Sequence, residues 1–116
     1  KLEDHPSVKR VLHPCKCPNY QKLLKTPGGY GCLLSIELVG GLESAKNFYN
    51  SLRICKGPSL GTNFSLACPY VLLAHYEELN WAKSCGVPPY LIRVSVGLED
   101  SENLWKRFKK ALDNKK

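Results

Sequence analysis

An α+β fold, a two-layer sandwich of one sheet with its helices, is what this 116-residue sequence predicts. Three observations carry it. Two long runs alternate apolar and polar residues with the period of a strand. Two others repeat apolar residues at the spacing of an amphipathic helix, and the two kinds of run interleave along the chain. Elements that are each apolar on one side have to cover one another, and interleaved strands and helices do so as layers.

The length suffices for one domain and not for two. Residues 1–116 are therefore expected as a single unit, with a connecting arm over 1–31 and a sheet-plus-helices core over 32–116. The arm is punctuated by Pro6, Pro14, Pro18, Pro27 and the pair Gly28-Gly29, which leaves room for one short helix around Tyr20 to Lys25.

"GCLLSIELVGG" then reads as a strand, with Cys32, Leu34, Ile36 and Leu38 on one face and Gly40-Gly41 as its stop. "LESAKNFYNSLRI" switches period: Ala45, Phe48, Tyr49 and Leu52 form the stripe of a helix. Gly57, Pro58 and Gly61 make a turn, and Phe64 to Cys68 is a short apolar strand closed by Pro69. "HYEELNWAKSCG" is expected as a helix that His75 starts and Gly86 stops. In "PPYLIRVSVGLED" Tyr90, Ile92, Val94 and Val96 face one way, and Leu91, Arg93 and Ser95 the other. Asp100 or Ser101 caps the last helix, whose buried stripe is Leu104, Trp105, Phe108 and Leu112. The order is β-α-β-α-β-α, with at least three strands and three helices and no internal repeat.

With 43% hydrophobic and 23% charged residues the chain has the composition of a soluble globular domain. No uninterrupted apolar run approaches 18 residues, so no transmembrane helix is expected. "KLEDHPSVKR" is too polar for a signal peptide, and without an initiator Met the chain is expected to be processed, trimmed or cut from a longer one. The net charge of +7 is concentrated: six of 17 Lys and Arg lie in "KRFKKALDNKK", read as the wet face and frayed end of the last helix. No aromatic-rich basic groove accompanies them, so nucleic acid is not an expected partner. Six cysteines in a short basic chain would suit a secreted, disulfide-framed binding module. Cys32 in a strand, and Cys55, Cys68 and Cys85 at element ends, suit free thiols in a reducing compartment better.

Among residues able to carry chemistry, Arg93 is the most informative, because a guanidinium inside an apolar strand must find an anion. It either pairs with Glu37 on a neighbouring strand or clamps a ligand carboxylate or phosphate with its planar fork. The pattern alone leaves both open. "GPSLGTN" can let backbone approach a ligand, with Ser59 donating a hydrogen bond, or can be a plain surface turn. His5, His13, Cys15 and Cys17 lack the paired spacing of a structural zinc site, so no metal is expected. His75 suits capping or packing. No phosphate-binding loop, dinucleotide fingerprint or nucleophile elbow is present.

"YLIRVSVGLEDSENLWKRFKKAL", with its core Arg-x-Ser-Val-Gly-x-Glu-Asp from Arg93 to Asp100, resembles the C-terminal signature of the Cys/Met-metabolism family of pyridoxal-phosphate enzymes. "HPSVKRVLHP", "GYGCLLSIEL" and "PSLGTNFSL" extend the likeness over nearly the whole chain. "ICKGPSLGTNFSLACPYVLLAHYEELNWA" is most similar to the fungal cystathionine γ-synthase branch. The resemblance implies the small C-terminal domain of a fold-type I, aminotransferase-like enzyme. By family pattern Arg93 binds the α-carboxylate of an amino-acid substrate, and Ser59 and Leu60 of the Ser-Leu-Gly turn line the same pocket. Pro58 stands where the lyases often have an acid, and Ala74 where a threonine usually precedes the histidine matched by His75. Both departures favour the synthase over the lyases.

The same resemblance implies pyridoxal 5'-phosphate as cofactor, held by an N-terminal domain of the same parent chain. The lysine, aspartate and stacking aromatic that hold it map to no residue here, so no catalytic or cofactor-binding residue is assigned, and the isolated 116 residues are expected to be inert. It further implies activated homoserine and cysteine as substrates, a homo-oligomeric parent and a cytoplasmic location. Lyase and sulfhydrylase chemistry are the sibling alternatives.

Overall fold

The computed structural model describes residues 1–114; Lys115 and Lys116, the end of the basic tail, lie outside them. In chain order the elements are β1 (Val8–Leu12), α1 (Pro18–Leu23), β2 (Leu33–Leu38), α2 (Gly41–Ser51), β3 (Cys55–Lys56) and β4 (Leu66–Cys68). Then follow α3 (Tyr70–Ala74), α4 (Leu79–Ser84), β5 (Ile92–Ser95) and α5 (Ser101–Asp113), with single 3-10 turns at Pro14–Lys16 and Tyr76–Glu78.

The strands form one sheet in the order β1-β2-β5-β4-β3, antiparallel except for the β3–β4 pair. The sheet is therefore mixed, as expected of an α+β domain rather than a doubly wound one. Ile36 on β2 sits opposite Ile92 on β5, and Leu34 opposite Val94. Ile36, Leu38, Ile92 and Val94 are buried against Ala45 and Phe48 of α2, Leu52 directly after it, and Leu104, Phe108, Ala111 and Leu112 of α5. Phe48 and Phe108 meet at the centre of this layer, ring centroids 6.0 Å apart and tilted 52°. Each helix stripe thus faces the sheet as its spacing predicts, with Ala111 added and with Tyr49 and Trp105 only partly buried, and Asp100 caps α5 by accepting from the Asn103 N–H at 2.8 Å.

Three elements differ from the sequence expectation. The arm contributes an edge strand: β1 pairs with β2 and buries Val8 and Val11 in the main core. Val8 and Val11 are three apart in sequence, which breaks the alternation that would have announced a strand, and a register irregularity between Val8 and Arg10 accompanies the burial of both. The short helix of the arm runs from Pro18 to Leu23 instead of Tyr20 to Lys25, because proline suits a first helical position. The helix expected over 75–86 is α3, a 3-10 turn and α4. Val71 and Ala82 anchor its two ends in a small second cluster with Leu91, while no side chain from 75 to 78 is buried. His75 therefore lies between α3 and the turn. Gly86 does stop α4, in the left-handed region at φ 78°.

Candidate functional site

β5 carries its odd-numbered side chains away from the core layer. Arg93 lies between Ser35 of β2 and Cys68 of β4 as cross-strand neighbours, and it is half-buried. Among the described residues no carboxylate pairs with it. Glu37 is occupied by Lys9 at 2.8 Å and Arg10 at 3.1 Å, both on β1. The internal ion pair that the sequence left open is not formed. Cys68 supplies no anion either: burial pushes its thiol above the ordinary value, the Arg93 charge pulling the other way.

What the guanidinium does have is a platform. Its Nη2 donates to the Pro58 carbonyl and reaches the Ser59 carbonyl at 3.5 Å. Its carbon Cζ stands over the Tyr70 ring, 4.7 Å from the ring centroid. Tyr70 in turn meets the His75 ring edge-on at 5.8 Å, and His75 Nδ1 bonds Glu78 at 2.8 Å. Among the described residues none accepts a hydrogen bond from Nη1 or Nε of Arg93. An open depression beside it is lined by Leu12, His13, Leu33 and Ser35 among others, and by no acidic residue. A cation held by carbonyls and a ring, with donors left over and no acid lining the depression, has the chemistry to receive an anion from outside.

Of the three residues the sequence singled out, the structure brings Arg93 and the Ser59 backbone together; Leu60 lies on the same loop, and neither Ser59 nor Leu60 lines the depression. Ser59 and Leu60 sit on the loop 57–64, both exposed, with the Ser59 backbone against Arg93. Tyr70, Ser65, Ser95 and Glu99 were not assigned from sequence. Ser95 Oγ accepts from the Gly61 N–H at 2.9 Å, and Glu99 takes both Ser65 N–H (2.7 Å) and Ser65 Oγ–H (2.8 Å). For Ser95 and Glu99 the signal was the every-second-residue spacing of Arg93, Ser95, Gly97 and Glu99.

His13 accepts from the Cys15 N–H at 3.4 Å and His5 bonds Asp113 at 3.0 Å. Among the described residues no three His, Cys, Asp or Glu gather as a metal site would need. The same residues do not fit a pyridoxal phosphate cradle. The depression at Arg93 holds one lysine, Lys16, which is exposed and ion-paired to Glu3. The better-covered Lys56, whose ammonium burial makes easier to deprotonate, lies over the Tyr49 ring and donates to the Leu52 carbonyl.

Residues 1–113 match the family described as Cys/Met metabolism PLP-dependent enzyme. The chain is 49% identical over 114 residues to the cystathionine gamma-synthase of Neurospora crassa, covering 96% of itself and 18% of that protein. It is 51% identical over 96 residues to that of Saccharomyces cerevisiae, covering 82% of itself and 15% of the relative. The chain thus spans less than a fifth of these relatives' length. Among solved structures it is similar to the cystathionine gamma synthase from Xanthomonas oryzae pv. oryzae in complex with cystathionine. The TM-score is 0.80 at 27% identity, over 96% of this chain and 30% of that one.

Proposed function

Because the chain belongs to the Cys/Met metabolism PLP-dependent enzyme family, we propose that it is the C-terminal substrate-binding domain of a cystathionine γ-synthase-like enzyme. The parent joins cysteine to an activated homoserine by replacing the γ-substituent. Arg93 binds the α-carboxylate, and Ser59 and Leu60 face the same substrate. The observation that supports this most is the unpaired guanidinium, held by the Pro58 and Ser59 carbonyls and the Tyr70 ring.

Pyridoxal phosphate supplies the electron sink for this class of chemistry. No step is assigned to it through these residues, since they offer it no cradle. Arg93 acts by orientation: a fork fixed by backbone and ring holds a planar carboxylate in one plane, which sets where the rest of the substrate points. The open depression gives the substrate its route in.

The 116 residues alone are inert in this reading, and the cofactor is bound by the N-terminal domain of the parent. Exposed apolar side chains such as Leu23, Leu73, Trp81 and Leu98 support packing against further chain. We read the parent as a homo-oligomer. A cytoplasmic location is supported by six unpaired thiols.

Product analysis of the full-length enzyme with cysteine and an acyl-homoserine tests the reaction. Cystathionine is expected; a keto acid with ammonia would give the assignment to a lyase, and homocysteine from added sulfide to a sulfhydrylase. Titrating the isolated chain with the cofactor is expected to give no saturable new absorbance band. A saturable band would overturn its inertness.

A further inference from the structure

Arg93, Ser95, Gly97 and Glu99 all address one neighbour, the segment 57–65. Arg93 donates to the carbonyls of Pro58 and Ser59, and Ser95 Oγ receives the Gly61 N–H at 2.9 Å. The Gly97 N–H donates to Ser65 Oγ at 2.9 Å, and Leu98 N–H to the Asn63 carbonyl at 2.8 Å. Glu99 closes the row, its two oxygens accepting from the N–H and the hydroxyl of Ser65. Ser65 and Ser95 are each 1% exposed and fully satisfied, so the bonds these two hydroxyls make are costly to break. At Gly97 the fit is close enough that an added Cβ would stand 2.5 Å from the Phe64 carbonyl carbon.

We propose that Glu99 is a positioning residue. By gripping Ser65 it sets the height of the 57–64 loop over Arg93, and through that loop the affinity for the substrate carboxylate. This rests on the reading of Arg93 as the carboxylate clamp. Glu99 does not reach the clamp itself; its lever is the backbone that also carries Pro58 and Ser59. Burial alone would raise the Glu99 carboxyl, but the two Ser65 bonds outweigh it and, with the Arg107 charge, hold it below the ordinary glutamate value. It is therefore an anion at neutral pH, and its bonds to Ser65 are charge-assisted. A glutamate that only stabilised the fold would move thermal stability and leave substrate affinity alone.

A double-mutant cycle in the full-length holoenzyme separates the two. Steady-state kinetics are measured for wild type, Arg93→Ala, Glu99→Gln and the double variant, with the acyl-homoserine that the wild type turns over. Glu99→Gln is expected to raise KM about tenfold, with kcat held within about twofold. In the Arg93→Ala background it should change kcat/KM by less than about twofold, because the clamp it positions is gone. Ser65→Ala, which removes the hydroxyl donor and the acceptor of Gly97, should behave in the same way and serves if Glu99→Gln does not accumulate. An unchanged KM, or effects that multiply in full, would overturn the role of Glu99 while leaving the clamp standing. An Arg93→Ala enzyme with wild-type kcat/KM would instead remove the clamp reading, and this inference with it.

Discussion

The guanidinium carbon of Arg93 lies 4.7 Å from the centroid of the Tyr70 ring. Arg93 sits on the strand that follows α4, and Tyr70 is the first residue of α3, directly after Pro69. The ring contact uses none of the guanidinium's N–H donors, of which only Nη2 is engaged, by the Pro58 and Ser59 carbonyls. A carboxylate approaches such a cation in the plane of its N–H groups, so the ring stabilises the orientation without competing for the ligand.

Tyr70→Ala in the full-length enzyme should therefore raise KM for the amino-acid substrate by about two- to fivefold, the worth of a partly exposed cation–π contact. Tyr70→Phe keeps the ring and should stay near wild type. Equal loss in both variants would point to the Tyr70 hydroxyl rather than to the stack.

Gly97 makes a second prediction. A methyl group there would stand 2.5 Å from the carbonyl carbon and 2.6 Å from Cα of Phe64, and 2.6 Å from Glu99 Oε2. Two of these are backbone atoms, which no rotamer change can remove. Gly97→Ala should cost about 1–3 kcal/mol of stability and should lower hydrogen-exchange protection at the Ser65 and Leu98 amides first. Unchanged protection at both would show that the seam has more room than its distances allow.

Phe48→Ala addresses the core. Phe48 is 2% exposed and Phe108 4%, and their rings pack against one another between α2 and α5. Truncation leaves a cavity that the sheet beneath cannot fill, at a cost of about 3–5 kcal/mol. Phe48→Leu should recover a large part of that in the same denaturation measurement.

The sequence announces its elements wherever a single period runs unbroken. α2 and α5 are legible from Phe48 and Leu52, and from Leu104, Phe108 and Leu112, because each stripe faces one flat sheet. β1 is not, because Val8 and Val11, three apart in sequence, fall out of alternation. The break at His75 is not, because tertiary anchoring at Val71 and Ala82, rather than any local stop residue, divides the helix. The same division holds at the site. Arg93 is conspicuous as a charge in an apolar run, and the resemblance to a family assigns it a task. What the pattern left open, an internal partner at Glu37, depended on whether β1 existed, since Lys9 and Arg10 of that strand are what occupy Glu37. Tyr70 was illegible for a simpler reason: an aromatic after a proline is unremarkable until its contact with Arg93 is known.

The two ends of the chain are tied together at Asp113, and this tie makes the last prediction. Asp113 accepts from Lys109 at 2.9 Å, one helical turn earlier, and is bonded to His5 at 3.0 Å. Ser7 adds a bond to the Leu112 carbonyl at 3.3 Å. The Lys109 and His5 hydrogen bonds hold the Asp113 carboxyl below the ordinary aspartate value. A group whose folded-state pKa is depressed contributes stability above its unfolded pKa, and that contribution fades as pH falls through the folded one. Asp113→Asn should therefore lower the urea midpoint at neutral pH, and the gap to wild type should shrink as the pH falls below the ordinary aspartate range. Because the pair is exposed the effect is small, and raising the salt concentration should reduce it at neutral pH. A gap that stayed constant down to about pH 3 would assign the loss to altered helix-end packing rather than to the charge of Asp113.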